Sequence, residues 1–182
     1  MELIYEKGFS NTSVQDILDK CKLTKPAFYY YFPSKDYLGI EYLSKQEELN
    51  REYLLALMNS SKTPEDFAVK WVNVIKKWSK VKKYNGCPFV NFLNQLDISN
   101  TKFNSKLKEI EMNWTSLYKN YLQDQSNRGL IDKNTDLYKA ARKMALIYEG
   151  SVNLWKMSRD VKYLDFMAEE LKELMISLKA KK

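Results

Sequence analysis

Hydrophobic positions recur at helical spacing along the whole chain, and the breaks between them separate short elements from longer ones. Residues 2–7 are predicted to form a helix that stops at Gly8, a residue suited to a left-handed helix end. Thr12 or Ser13 then caps a second helix. Its apolar face is formed by Val14, Ile17, Leu18 and Cys21.

A third short helix is predicted where the chain reads KPAFYYYF, residues 25–32. Thr24 is suited to the N-cap, which places Lys25 and Pro26 in the first turn, where proline's fixed φ helps and its missing N–H costs nothing. Pro33 disfavours helical geometry in the residue before it, so this helix is short. Phe28 and Phe32, four residues apart, are expected to face inward onto Ile17, Leu18 and Leu23.

Longer helices follow, which makes the predicted fold class all-α. Their predicted ranges are 35–59, 64–83, 89–97, 101–127, 134–157 and 160–180. The change from short to long helices near residue 45 divides the chain into a domain at 1–45 and a larger helical domain at 46–182. The lysine-rich run at 76–83 is typical of a solvated helix end stabilised by the helix dipole, although it also offers cations to a phosphate.

The last two predicted helices have more apolar surface than packing against one neighbouring helix would bury. The final helix has a stripe at spacings of three and four, and the helix before it is apolar on more than one side. We expect these helices to form half of an isologous four-helix interface in a homodimer. The alternative is that they pack inside one chain. The residues assigned to the interface are Met144, Val152, Val161, Leu164, Ala168, Leu171, Met175 and Leu178.

Composition narrows the classes of function. The 182 residues include only 5 glycines, 4 prolines and 2 cysteines, with 45% hydrophobic residues, as expected for a helical protein with a buried core. Neither a membrane span nor a signal peptide is visible, so a cytoplasmic location is expected. Cys21 and Cys87 lack the spacing of a metal site and are expected to be buried thiols. No metal or cofactor is predicted.

The chain contains no histidine, which removes the commonest general base and the commonest metal ligand. An enzyme is therefore not expected, although carboxylates such as Glu109, Glu111 and Glu149 remain available. The net charge of +7 favours an acidic partner. Residues 1–45 nevertheless hold six lysines and six acidic residues, so the surplus lies downstream.

Two short helices joined by a tight turn have the layout of a helix-turn-helix, whose second helix enters the DNA major groove. Thr24 and Lys25 offer a hydroxyl and an ammonium group to phosphates or base edges, and Pro26 and Ala27 are small enough for close approach. Tyr29 and Tyr30 have hydroxyls for phosphate oxygens. The alternative is a small helical core in which the tyrosines are partly buried.

The segment YEKGFSNTSVQDILDKCKLTKPAFYYYFPSKDYL resembles the DNA-binding domain of the TetR family, the tetracycline-repressor type. The family pattern falls on Gly8, Ser13, Ile17, Lys25, Tyr29, Phe32 and Lys35. The resemblance implies DNA contacts by Ser13, Val14, Gln15, Thr24, Lys25, Pro26, Ala27, Tyr29, Tyr30 and Lys35.

The segment departs from the family in two places. Lys22 stands in the turn where the family usually has glycine, which implies some strain if the backbone there is left-handed. The family's first helix is also longer at its N-terminal side, so residues 1–9 align with the end of that helix and the first helix is expected to be incomplete.

The resemblance further implies a homodimer that holds a small-molecule effector in the larger domain. Candidate pocket residues are aromatic or apolar and would suit a flat apolar or cationic molecule: Trp71, Ile75, Trp78, Phe89, Phe92, Trp114, Tyr118, Tyr121, Tyr148 and Trp155. Ordinary core packing is the alternative for each. The predicted function is a repressor that binds palindromic double-stranded DNA; a helical small-molecule binder or enzyme without operator binding is the alternative.

Overall fold

The computed structural model describes residues 1–96 and 101–180, and their regular structure consists of nine helices. The helices are α1 (Glu2–Lys7), α2 (Val14–Cys21), α3 (Lys25–Tyr31), α4 (Lys35–Ser60), α5 (Pro64–Ser79), α6 (Pro88–Leu93), α7 (Thr101–Asn127), α8 (Leu137–Ser158) and α9 (Lys162–Ser177). The all-α fold class predicted from the sequence is confirmed.

Most helix starts follow the capping residues expected from the sequence. Ser13, Thr24 and Thr63 are N-caps whose side chains accept backbone hydrogen bonds, and Thr24 and Thr63 are followed by proline in the first turn. Asp136 caps α8 in the same way, which moves the start of α8 from the predicted residue 134 to Leu137.

Helix α5 ends four residues earlier than its prediction of 83. After Ser79 the N–H groups of Lys80, Val81 and Tyr84 donate to carbonyl oxygens three residues back, so tight turns replace the helix. Helix α6 ends at Leu93, and the predicted end at residue 97 lies outside the described residues. Helix α9 is shorter than predicted at both ends.

The chain forms two compact units. Unit 1 comprises Met1–Leu49 and Cys87–Glu109, and unit 2 comprises Asn50–Gly86 and Ile110–Lys182. The sequence placed residues 87–109 in the second domain, whereas the structure packs them with the first 49 residues. The residues of α4 and α7 are divided between the two units.

The core of unit 1 is built from aromatic rings that surround Phe9. Its ring centroid lies 4.8 Å from that of Phe92 and 5.2 Å from that of Phe103, and Tyr42 stacks on Phe92 at 5.9 Å. Gly39 lies against the same rings, and a Cβ atom there would come within 2.8 Å of Phe9 and Phe103. The rings from 87–109 therefore complete the support beneath the short N-terminal helices.

The core of unit 2 is a layer of aliphatic and aromatic side chains between its long helices. Helix α9 packs against both α5 and α8. The apolar stripe of α9 supplies Leu164, Met167, Leu171 and Met175, each at most 1% exposed. Burial of one such side chain contributes about 1.5–3 kcal/mol to the free energy of unfolding, so this face anchors α9 in its own chain.

Candidate functional site

Helices α2 and α3 each begin with a side-chain cap, and together they form the predicted helix-turn-helix. The Ser13 hydroxyl accepts the Asp16 N–H at 3.0 Å, and Asp16 Oδ2 accepts the Ser13 N–H at 2.8 Å. The hydrogen bonds from Ser13, with that from Lys7, lower the pKa of Asp16 from 3.8 to about 2. Thr24 Oγ1 accepts the Ala27 N–H at the start of α3.

Helix α3 has a buried side and an exposed side. Phe28 is buried, and the ring of the half-buried Phe32 lies 5.5 Å from it, as the inward assignment of the two phenylalanines predicted. Two other expectations for this small core are wrong: Leu23 is 42% exposed and Cys21 is exposed. Both residues lie at the end of α2 or in the turn after it, where the backbone leaves the core.

The residues predicted to meet DNA on α3 lie on its exposed side. Thr24, Lys25, Pro26, Tyr29 and Tyr30 are exposed, and Ala27 is half-buried. On α2, Ser13 and Gln15 are exposed and Val14 is half-buried. One N–H of the Gln15 side-chain amide donates to Asp19 at 2.7 Å, and this bond leaves the second N–H and the amide oxygen of the same group for other contacts.

Two further tyrosines, which were not among the predicted DNA contacts, are exposed close to them in the sequence. Tyr31 is 66% exposed and its ring lies 5.1 Å from that of Tyr30, so the two hydroxyls are on adjacent side chains. Tyr37 is also exposed, in the first turn of α4, where its N–H donates to the Ser34 hydroxyl. In the sequence, both tyrosines lie close to residues that were predicted to contact DNA. Helical spacing did not show whether Tyr31 lies on the buried or the exposed side of α3.

Lys35 is engaged within unit 1. Its Nζ atom lies 3.4 Å from the Ser10 carbonyl oxygen and 4.7 Å from the centroid of the Phe9 ring. The side chain is therefore held over the aromatic core in this structure. Its predicted contact with phosphate stays a prediction, and such a contact would draw on the same ammonium group.

Ion pairs engage some lysines of residues 1–45 and leave others without an acidic partner. Lys7 pairs with Asp16 at 3.4 Å, and Lys20 pairs with Glu2 at 3.0 Å. Within the described chain no ion pair is formed by Lys22 or Lys25. Acidic side chains thus neutralise lysines elsewhere and leave two cations beside the start of α3.

Eight of the ten predicted pocket residues belong to unit 2, and they fall into two groups. Around Trp71 the ring centroids of Tyr148 and Tyr118 lie at 5.3 and 5.6 Å, and Trp114 lies 6.2 Å from Tyr118. Tyr121 packs on Phe67, which stacks on Trp71. The second group links Trp78 to Tyr53 and Tyr84, and Tyr84 to Trp155. Ile75 is buried in the same core.

The other two predicted pocket residues, Phe89 and Phe92, lie in unit 1. Phe92 is 2% exposed and contacts Phe9, Tyr42 and Phe103. Its ring supports the helix-turn-helix unit instead of joining the aromatic groups of unit 2. The sequence pattern missed this difference because helical periodicity identifies an inward face without identifying which core that face enters.

The Tyr121 side chain has a buried hydroxyl without a hydrogen-bond partner in the described part of the chain. The residue is 6% exposed, and burial raises the pKa of its hydroxyl well above the usual value of 10.0. A buried polar atom of this kind is uncommon in folded proteins. It adds a hydroxyl without a hydrogen-bond partner to the group of rings around Trp71.

Most of the residues assigned to a dimer interface are enclosed by their own chain. Met144, Val152, Leu164, Leu171 and Met175 are at most 1% exposed, so a partner chain has no access to them. Ala168 and Leu178 pack against the same core, and Val161 is exposed. Packing inside one chain, the alternative in the sequence analysis, therefore describes the five buried side chains.

A different apolar face of α8 is open to solvent. Leu146 and Met157 are 72% and 81% exposed, and Leu154 between them is also exposed. Gly150 lies on the same stripe, and beyond its chain neighbours and the backbone of its own helix no described atom lies within 4 Å of the position that a Cβ would take. On α9, Phe166 and Ile176 are exposed as well.

Residues 1–96 and 101–180 contain no cluster of histidine, cysteine, aspartate or glutamate that is able to hold a metal ion. Over the same residues, no helix has the length and the apolar character that crossing a membrane requires.

Comparison with known proteins connects both parts of the chain to one family. Residues 1–41 match the model of the bacterial regulatory proteins of the tetR family, and residues 66–171 match the model of the tetracyclin repressor-like C-terminal domain. An HTH-type transcriptional regulator of Lactococcus lactis subsp. lactis is 28% identical over 174 residues, which cover 94% of this chain and 86% of the relative.

Solved structures share the fold at low sequence identity. A TetR-family transcriptional regulator from Cytophaga hutchinsonii has a TM-score of 0.86 and 20% identity, with coverage of 100% of this chain and 91% of the other. The TetR-family regulator CifR, a cysteine mutant in complex with 26-bp double-strand operator DNA, has a TM-score of 0.81 and 15% identity, with coverage of 94% and 91%.

Proposed function

The chain belongs to the TetR family of DNA-binding transcriptional regulators, and from this premise we propose that it is a homodimeric repressor, released from a palindromic operator by a small-molecule effector. In this proposal residues 1–45 bind DNA with the support of residues 87–109 in unit 1, and unit 2 carries effector binding and dimerisation. Two copies of α3 enter successive major grooves, about 34–36 Å apart.

One observation carries the DNA-binding proposal: the exposed side of α3 combines the free cation Lys25 with the hydroxyls of Tyr29 and Tyr30, while Phe28 holds the opposite side in the core. Tyr30 is 82% exposed, far more than a side chain that stabilises the fold needs. Phosphate oxygens are the natural partners of such ammonium and hydroxyl groups. The small residues Pro26 and Ala27 permit close approach to base edges.

The α8 stripe of Leu146, Gly150, Leu154 and Met157 is the face that we assign to the homodimer. Large apolar side chains this exposed favour a partner that removes them from water. A mid-helix glycine with open space around it lowers the stability of an isolated helix by about 1 kcal/mol relative to alanine. Because glycine has no side chain, a second helix is able to approach α8 closely at Gly150.

The effector is assigned to the aromatic group around Trp71 in unit 2. Faces of tryptophan and tyrosine rings suit a flat apolar or cationic molecule, and the Tyr121 hydroxyl offers a hydrogen bond to a polar atom on it. For release, the effector must bind more tightly to the conformation with the lower operator affinity. Helix α4, which begins at Lys35 and has residues in both units, is the element proposed to transmit the change.

Operator binding is tested by titrating labelled DNA from upstream of the gene with the full-length protein at several salt concentrations. We expect sequence-preferring affinity that falls steeply with salt because lysines displace counterions from phosphates. Lys25→Ala and Tyr30→Ala weaken this affinity, whereas Lys133→Ala, an equal charge change on an exposed residue of unit 2, leaves it unchanged.

The same titration separates the proposal from its alternative. A helical small-molecule binder that lacks operator binding gives flat, sequence-blind binding, and that result would refute the repressor. Release is followed on the protein–operator complex by adding flat aromatic cations, with loss of the complex as the expected outcome.

A further inference from the structure

The turn between α2 and α3 is occupied by a lysine in a backbone conformation that favours glycine. Lys22 has φ 54° and ψ 42°, in the left-handed region, and caps the end of α2 by donating its N–H to the Leu18 carbonyl. A side chain with a Cβ is strained in this region, whereas glycine is not. The turn therefore depends on the left-handed backbone of residue 22, and the lysine side chain does not stabilise that conformation.

Arg159 shows by contrast what a left-handed residue can contribute to its own fold. It is the other non-glycine residue with positive φ in residues 1–96 and 101–180. Its guanidinium lies 5.0 Å from the centroid of the Trp155 ring, so the arginine side chain packs within the chain. The Lys22 side chain is exposed and forms no hydrogen bond, ion pair or ring contact in the described chain.

The position of Lys22 points to a phosphate as its partner. Lys22 lies two residues before Thr24, the N-cap of α3, and three before Lys25, the other unpaired cation of the helix-turn-helix. The lysines nearer the neighbouring acids, Lys7 and Lys20, are neutralised by ion pairs. A flexible ammonium beside the start of a recognition helix matches the spaced negative charges of a DNA backbone.

We propose that Lys22 binds an operator phosphate, and that the turn gives up stability for this contact. The proposal rests on the proposed operator binding and extends it to a residue that the family resemblance does not place among the DNA contacts. It predicts that one substitution, Lys22→Gly, changes stability and DNA affinity in opposite directions. If Lys22 had only a structural role in the turn, Lys22→Gly would not raise stability and weaken DNA binding at the same time.

The experiment compares Lys22→Gly, Lys22→Asn and Lys22→Arg with the unmodified protein. We expect Lys22→Gly to raise the thermal unfolding midpoint by about 2–4 °C, because it relieves the left-handed strain. The same variant weakens operator binding, and the slope of log affinity against log salt becomes shallower by about 0.9 for each copy of Lys22 that leaves a phosphate.

The two other variants separate charge from backbone. Asparagine tolerates the left-handed region but has no charge, so Lys22→Asn is expected to reproduce the shallower salt slope. Arginine keeps the charge, so Lys22→Arg is expected to retain the slope of the unmodified protein. An unchanged slope in both Lys22→Gly and Lys22→Asn overturns the phosphate contact, and an unchanged or lower midpoint in Lys22→Gly overturns the loss of stability.

Failure of this inference is distinguishable from failure of the repressor proposal. If the unmodified protein shows no sequence-preferring binding, operator binding itself is refuted. If the unmodified protein binds and Lys25→Ala weakens binding while the neutral Lys22 variants do not, the contact by Lys22 alone is refuted.

Discussion

At the scale of single residues, Tyr121 combines two features that usually exclude each other. Its ring is packed on Phe67 in the core of unit 2, with centroids 4.9 Å apart, and its hydroxyl has no hydrogen-bond partner in the described chain. A buried polar atom without a partner loses its hydration on folding and gains nothing in exchange. The hydroxyl therefore lowers the stability of the free protein, and in the proposed effector site it is the group that would bond to a polar atom of the ligand.

We expect Tyr121→Phe to raise the free energy of unfolding of the free protein by about 1 kcal/mol, because it removes the unsatisfied hydroxyl and keeps the ring. Urea denaturation measures this change. Tyr138→Phe, on an exposed tyrosine of α8, serves as the control and is expected to have little effect. A clear loss of stability in Tyr121→Phe would instead mean that the hydroxyl is hydrogen-bonded.

At the scale of elements, the capping box of α2 makes the helix-turn-helix sensitive to acid. Asp16 accepts hydrogen bonds from the Ser13 N–H and hydroxyl and pairs with Lys7. These partners favour the ionised carboxylate, so its pKa in the folded chain, about 2, lies below the ordinary value of 3.8. The resulting stabilisation is fully present above the ordinary pKa and disappears as the pH falls through the folded pKa.

The expected result is that Asp16→Asn lowers the thermal midpoint at neutral pH and that the gap from the unmodified protein narrows between about pH 4 and pH 2. Midpoints measured across this range test it. Asp19→Asn, the same charge change on the same helix, is the control. A gap of constant size down to pH 2 contradicts a role for the ionised Asp16.

The elements themselves differ in how far local sequence specified them. Thr24 and Pro26 determined where α3 begins, because capping and the fixed φ of proline act within one turn. The end of α5 at Ser79 was not predicted, because nothing in the lysine-rich run opposes a further helical turn. There the chain follows tight turns towards Gly86, whose φ of 78° lies in the left-handed region.

At the scale of the whole molecule, the proposed dimer is the feature with the clearest single test. Leu146, Leu154 and Met157 form an exposed apolar stripe on α8. Met157→Glu places a charge on this stripe, and burying an unpaired carboxylate at an interface costs several kcal/mol. The variant is expected to weaken dimer association by at least roughly tenfold while its helix content is retained.

Analytical ultracentrifugation over a range of protein concentrations measures this shift towards monomer. Met112→Glu provides a matched control, since Met112 is also exposed on a helix and lies outside α8 and α9. Equal association of the two variants would argue against the α8 stripe as the dimer face.

The sequence by itself determined the features that depend on interactions between residues close together in the chain. Helical periodicity, caps and prolines specified an all-α chain, the helix-turn-helix near its start and the two faces of α3, and the family resemblance followed from the same residues. These features depend on neighbours within a few residues, so the information for them is local.

Only the tertiary structure decided which inward face belongs to which core. Phe92 joined Phe9 in unit 1, Leu164 and Leu171 were enclosed in their own chain, and an apolar stripe with Leu146 and Met157 was left exposed. Likewise, ion pairs neutralised Lys7 and Lys20 and left Lys22 and Lys25 free. Burial and charge pairing depend on residues far apart in the chain, and a periodic pattern records only that a side faces inward, not what it meets.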